Sequence, residues 1–182
     1  MSTQARTVTA DELLRMPRGS VRRELIRGEI RELPLNGWEH ASVASRLLGS
    51  LGQHVRTTGA GECYVAVGFQ LAWDPDTVIA PDIAFVTQDR DDAAGAGDGY
   101  FPGPPDLAVE VRNFDESADE VLAKARMWID EGAPMSIVLD PEERSATVLR
   151  YLCEEMRLTK GGVLDGAPMV PGWKVPVRDL FD

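Results

Sequence analysis

The sequence predicts one α/β or α+β domain spanning residues 1–182. Three observations carry this. Two segments repeat apolar residues at helical spacing, several short β-branched runs lie between and after them, and the order is helix, three strands, helix, strands. A chain of 182 residues is long enough for a real core.

The elements follow in order. Thr9 with Glu12 three residues on reads as a capping box opening a short helix that Pro17 stops. The segment RRELIRGEIREL, Arg22 to Leu33, reads as a hairpin turning at Arg27-Gly28. A long helix starts at Asn36-Gly37-Trp38-Glu39, with Ala44, Leu47, Leu48, Leu51 and Val55 as its apolar face, and ends within Thr57 to Gly61. YVAVGFQLAW alternates, so Val65, Val67, Phe69, Leu71 and Trp73 are expected to share one strand face. DPDTV turns the chain into a second strand, PDIAFV, and DRDDAAGAGDGYFPGPP reads as a flexible loop. PDLAVEVRNF holds the third strand. Ser117 to Glu131 is helical, with Ala118, Val121, Leu122, Ala125 and Ile129 as its buried stripe and Gly132 at its end. MSIVLD and ATVLRYL are two more strands joined by the turn Pro141-Glu142-Glu143-Arg144, and the tail MVPGWKVPVRDLFD is expected as a surface strap ending in a short apolar turn.

Hydrophobic residues make up 43% of the chain, which excludes disorder. The formal charge of -11, from 30 acidic and 19 basic residues, repels polyanions at long range and argues against a nonspecific DNA-coating protein. A locally basic groove remains compatible with it. Cys63 and Cys153 form no CxxC pair and are expected as buried or half-buried free thiols. The opening MSTQARTVTADELL is too polar for a signal peptide, and no apolar run approaches ~18 residues. The expected compartment is the cytoplasm, without membrane contact.

Glu110 is the conspicuous residue. In strand alternation Leu107, Val109 and Val111 face one way, and Ala108, Glu110 and Arg112 the other. A carboxylate in mid-strand is costly unless paired. Asp82 opens the preceding strand, and neighbouring strands lie about 4.8 Å apart. Two acids meeting there need a shared proton or cation. Mg²⁺ suits such hard oxygens, since it often takes one or two carboxylates with waters and a substrate phosphate, and this is equipment for phosphodiester hydrolysis. Spacing alone leaves a second option open: Asp82 as a turn residue after Pro81, and Glu110 on an exposed strand face.

The pieces TADELLRMP, RRELIRGEI, EHASVASRLLGSL, VIAPDIAFV, PPDLAVEV, then Lys124 with Trp128 and Gly132 at steps of four, SIVLDPEERSATVLRY and VPGWKVPVRDLF occur in order across nearly the whole chain. Together they resemble a large bacterial family of restriction-endonuclease-like proteins within the PD-(D/E)XK nuclease superfamily. The resemblance implies a mixed β-sheet flanked by helices and a Mg²⁺ site, with Mn²⁺ as substitute. It implies Asp82 and Glu110 as metal ligands, the backbone carbonyl of Val111 as a further one, and Lys124, displaced from strand to helix, as the catalytic lysine. An acid before the first core helix joins them in such a site; Glu29 and Glu39 are the candidates. Lys124 adjoins the apolar stripe of its helix, so its stem can pack while its ammonium reaches a strand edge. From the residues alone, a surface lysine paired with Glu120 is the alternative.

The family commonly follows its EV with a Ser-Pro-Ser-like turn, whereas this chain reads Glu110-Val111-Arg112-Asn113-Phe114. Arg112 sits where classical superfamily members place their strand lysine, so it is a further catalytic candidate, able to neutralise Glu110 or hold a phosphate but poor as a base. His40 and His54 fit no zinc motif; His40 either packs structurally or approaches the acids. GAGDG lacks the strand-before, helix-after setting of a phosphate loop. Arg22, Arg23, Arg27 and Arg31 form a basic hairpin that either contacts phosphates or is a solvated, ion-paired face. Trp173 and Phe181 are expected to pack. The function expected is a Mg²⁺-dependent nuclease acting on nucleic acid, DNA in the first place. The alternative is the same fold kept as a noncatalytic binding or assembly module. Oligomeric state stays open between monomer and homodimer.

Overall fold

The computed structural model describes residues 7–17 and 21–182. The first six residues of the polar N-terminal segment lie outside them.

Thr9 caps α1 (Ala10–Arg15) through the reciprocal Thr9–Glu12 capping box. β1 (Arg22–Ile26) and β2 (Glu29–Leu33) form the expected hairpin. Its turn residues Arg27 and Gly28 both have positive φ, 51° and 78°, the conformation that matches the twist of a two-residue hairpin. α2 (Trp38–Thr58) ends at Gly59, whose φ of 64° lets the chain reverse there.

The alternating run after α2 is not one strand. It divides into β3 (Gly61–Val65) and β4 (Phe69–Ala72), which belong to different sheets. Ala66, at φ 50°, breaks the extended conformation between them. As a result Phe69 is buried while Val65 and Trp73 are exposed, so the expected shared face does not exist. β5 (Thr77–Ile79) is an extra strand, and Asp82 directly precedes β6 (Ile83–Thr87).

The expected flexible loop contains α3 (Gln88–Ala94) and β7 (Phe101–Pro102). β8 (Leu107–Val111) and α4 (Ala118–Asp130) lie where the pattern placed them, the helix capped by Ser117 and Glu120. On α4, Trp128 is buried with Val121 and Ala125, whereas Ala118 is exposed. β9 (Met135–Asp140) and β10 (Ser145–Arg150) follow, then β11 (Met156–Leu158), β12 (Val163–Asp165), β13 (Lys174–Pro176) and α5 (Arg178–Phe181).

The strands form a five-stranded sheet, β2-β1-β5-β4-β7, a six-stranded sheet, β11-β10-β9-β8-β6-β3, and the pair β12-β13. Both larger sheets are mixed. β8 runs antiparallel to β6 and parallel to β9, with α4 as the crossover. One face of the six-stranded sheet (Ile83, Leu107, Val109, Val111) packs on the Leu47–Leu51–Val55 stripe of α2. Ala84 and Ala108, from the opposite face, cluster with Trp128 of α4 and with Phe69 and Phe101 of the other sheet.

The tail is core rather than surface strap. Val170, Trp173, Val175, Val177 and Leu180 are buried in the same cluster as α2. Trp173 Nε1 donates to Ser50 Oγ at 3.0 Å, which satisfies its one polar group as it is buried. Both cysteines are free, but Cys153 is exposed rather than buried.

Candidate active site

Asp82 and Glu110 meet because β6 and β8 are antiparallel neighbours. Ile83 pairs with Val109, so the residue before the first lies beside the residue after the second. Both acids are buried, at 8% and 2% exposure, which excludes the reading of Glu110 as a surface carboxylate.

Each carboxylate is held by donors. Asp82 Oδ2 accepts from the Val111 N–H at 2.9 Å and pairs with His40 Nε2 at 3.0 Å. Its Oδ1 accepts from Arg22 at 3.3 Å. Burial raises the Asp82 pKa, but the His40 hydrogen bond and charge, the Val111 N–H and the Lys124 ammonium outweigh burial and lower it to about 2. Glu110 Oε1 accepts from Trp128 Nε1 at 2.6 Å, and Oε2 pairs with Lys124 Nζ at 3.0 Å. Here burial dominates. Against the pull of Lys124, and helped by the negative charge of Asp82, it pushes Glu110 up to about 7. Burial also opposes the charge on Lys124, yet Glu110 and Glu24 raise its pKa, so it remains an ammonium.

Glu24 is the third acid of the group. It is 5% exposed, accepts from the Ala80 N–H at 3.2 Å, and lies 3.5 Å from both Lys124 Nζ and Arg22. The proposed N-terminal acids do not reach the group: Glu29 is exposed on the hairpin's outer strand, and Glu39 is exposed at the start of α2. Glu24 carried the same signal as Glu110, a carboxylate within a strand, here alternating with the buried Leu25. His40 does approach the acids, and Arg22, expected with the basic hairpin as a phosphate contact or a solvated, ion-paired face, is built into the site on Asp82 and Glu24. The signal for Trp128 was chemical: a buried indole N–H needs an acceptor, and Trp128 lies one turn beyond Lys124.

The structure does not bring Arg112 to the acids. Its guanidinium pairs with Asp140 at 3.2 Å and Glu142 at 2.7 Å, and its Nε donates to the Glu116 carbonyl. Strand alternation stops at Val111, so the face shared on paper with Glu110 is not shared in space. Lys124 pairs with Glu110 and Glu24, while Glu120 is engaged by Ser117. Of the basic hairpin, Arg23 pairs with Glu32, and exposed Arg31 lines the site cavity.

That cavity, about 390 Å³, is lined by Arg22, Glu24, Asp82, Glu110 and Lys124. Among the described residues no group of three or more His, Cys, Asp or Glu is arranged to hold a metal ion. The paired carboxylates nevertheless fit Mg²⁺ by donor type, since that ion completes its shell with water and phosphate oxygens. Two buried polar atoms here, Arg22 Nε and His40 Nδ1, lack a hydrogen-bond partner.

The fold is that of a restriction-endonuclease-like protein, a mixed α+β framework, and in this chain Asp82 and Glu110 meet at neighbouring strands of one sheet. The chain belongs to the Uma2 family, described as putative restriction endonuclease, whose profile it matches over residues 10–178. Among solved structures it is similar to a putative nuclease of DUF820 from Anabaena variabilis ATCC 29413. The TM-score is 0.80 at 20% identity, covering 96% of this chain and 97% of that one. A comparison with curated proteins found no match. Among the described residues no helix is long and apolar enough to cross a membrane.

Proposed function

We propose that the protein is a Mg²⁺-dependent nuclease that hydrolyses phosphodiester bonds in DNA. The observation that carries this is the buried Asp82–Glu110 pair with Lys124 Nζ 3.0 Å from Glu110, at the wall of an open cavity. Asp82, Glu110 and the Val111 carbonyl would hold the ion. When bound, it supplies charge stabilisation at the phosphate and an activated water. Lys124, kept protonated by two acids, serves to hold phosphate charge rather than to take a proton. Arg22 and His40 orient Asp82 from two sides. Glu24 positions Lys124 and Arg22. Arg112 has no place in this chemistry, because its charge is spent on Asp140 and Glu142.

A second reading, a noncatalytic binding module, draws on one feature. Asp82 and Glu110 already have protein cations and donors as partners. Calorimetric titration of Mn²⁺ together with a plasmid and single-strand cleavage assay decides between them. The nuclease binds the ion and cleaves, and Glu110→Gln loses both. No binding and no cleavage by the wild type would leave the module.

A further inference from the structure

Beside the acidic site lies a second cavity, also about 390 Å³, of different chemistry. His40 and Asn113 line both, so the two adjoin across the start of α2 and the end of β8. Trp38 and Phe114 line the second cavity and are each 84% exposed, although both are large and apolar. Exposed aromatics beside a catalytic cavity are an interaction signal rather than packing. Phe114 is held by local structure: a Cβ on Gly37 would lie 3.1 Å from its ring, and the Gly37 N–H donates to the Asn113 side chain at 3.0 Å. The remaining charge is acidic. Glu39, Asp140 and Glu142 line the cavity, and Arg112 is already paired with two of them. Such a surface repels phosphate. It suits a flat, uncharged group bearing N–H donors.

We infer that this second cavity binds an unpaired nucleobase adjacent to the scissile phosphate, stacked on Trp38 or Phe114 with its amino edge toward Glu39 or Glu142. The inference rests on the nuclease reading and deepens it, naming a single-stranded or locally unpaired strand as substrate. The division of charge supports the assignment. Arg22, Arg31 and Lys124 line the first cavity, where a phosphate would sit, and acids and aromatics line the second. A base within a duplex cannot reach such a cavity without leaving its stack, and strands already unpaired avoid that cost.

The test is fluorescence anisotropy with labelled single-stranded DNA, the same strand with abasic sites, and the matching duplex, with Ca²⁺ replacing Mg²⁺. Wild type and Trp38→Ala/Phe114→Ala are compared after thermal melting shows both folded. The wild type is expected to prefer the single strand, and the double variant to lose roughly tenfold or more in affinity for it, the scale of one base–aromatic stack. The abasic strand should bind both proteins equally weakly, and Trp38→Phe should restore part of the affinity. Equal binding of intact and abasic strands by a wild type that cleaves DNA would overturn the base site and leave the nuclease reading standing. Absence of binding and cleavage on every substrate would overturn both. A wild-type dimer in sedimentation that Trp38→Ala/Phe114→Ala converts to a monomer would place a second copy of the chain on these residues and also overturn the base site.

Discussion

Trp128 Nε1 donates to Glu110 Oε1 at 2.6 Å, tying the last turn of α4 to a middle strand of the six-stranded sheet through a buried carboxylate. The same helix supplies Lys124 to the other oxygen of that carboxylate. One strand residue thereby sets the rotation of the helix that carries the cation. Trp128→Phe keeps most of the packing and removes the donor. Loss of one hydrogen bond to a charged acceptor should cost about 2 kcal/mol. The indole favours the ionised carboxylate, so the loss measured by urea denaturation should be larger at pH 8 than at pH 5. Equal losses at the two pH values would remove the charged-acceptor explanation.

Glu110 makes stability pH-dependent. Its folded pKa is raised from 4.5 to about 7, so the folded state keeps a proton that the unfolded state releases. The sign follows: stability is highest at the acid end of that interval and falls as pH rises toward 7. The full effect is about 3 kcal/mol at most. Glu110→Gln should flatten this slope in chelator and leave the protein as stable as wild type, or slightly more so, at pH 8. It should also remove Mn²⁺ binding. Denaturation at several pH values, with parallel calorimetry, checks both.

Asp82 acts with the opposite sign. Its pKa is lowered from 3.8 to about 2, so its contribution is complete above 3.8 and disappears as pH falls toward 2. Asp82→Asn should cost roughly 2 kcal/mol at pH 7, because Arg22 and His40 then lose their charged partner, and should remove the acid limb between those values. An unchanged acid limb in the variant would assign it to other carboxylates.

Lys124→Ala should reduce cleavage by ~10²-fold or more, the scale for a positioned electrostatic group. Arg112→Ala should leave kcat within a few-fold, since its partners are Asp140 and Glu142. Steady-state kinetics on one DNA substrate separates them. A silent Lys124 variant beside a dead Arg112 variant would reverse the assignment.

The hairpin cations Arg22 and Arg31 line the cavity, and of these Arg31 is exposed whereas Arg22 is held by Asp82 and Glu24, so the proposed phosphate contact falls to Arg31. Arg31→Ala should lower the log–log salt slope of DNA binding by about one. Arg23→Ala, whose charge pairs with Glu32, should leave the slope unchanged.

Local signals in the sequence were enough for the elements whose pattern and boundaries agree. Thr9 and Glu12 cap α1, Arg27-Gly28 turns the hairpin, and the Leu47–Leu51–Val55 stripe makes α2. The cost of a carboxylate within a strand pointed to Glu110, the start of the preceding strand offered Asp82 as its neighbour, and resemblance added Lys124. Tertiary structure decided what no local pattern encodes. Ala66 at positive φ sends Val65 and Phe69 into different sheets, although the alternation runs through both. The tail's apolar residues are as compatible with a strap as with a core until α2 offers them a face. The acid that joins the site is Glu24 rather than Glu29 or Glu39, because β1 pairs with β5 and so brings Glu24 to Ala80 and Lys124. Arg112 leaves the face of Glu110 because the strand ends at Val111 and the Asp140 carboxylate lies within its reach. Propensity and alternation act over a few residues, whereas these choices depend on which distant surface arrives to bury a side chain or pair a charge.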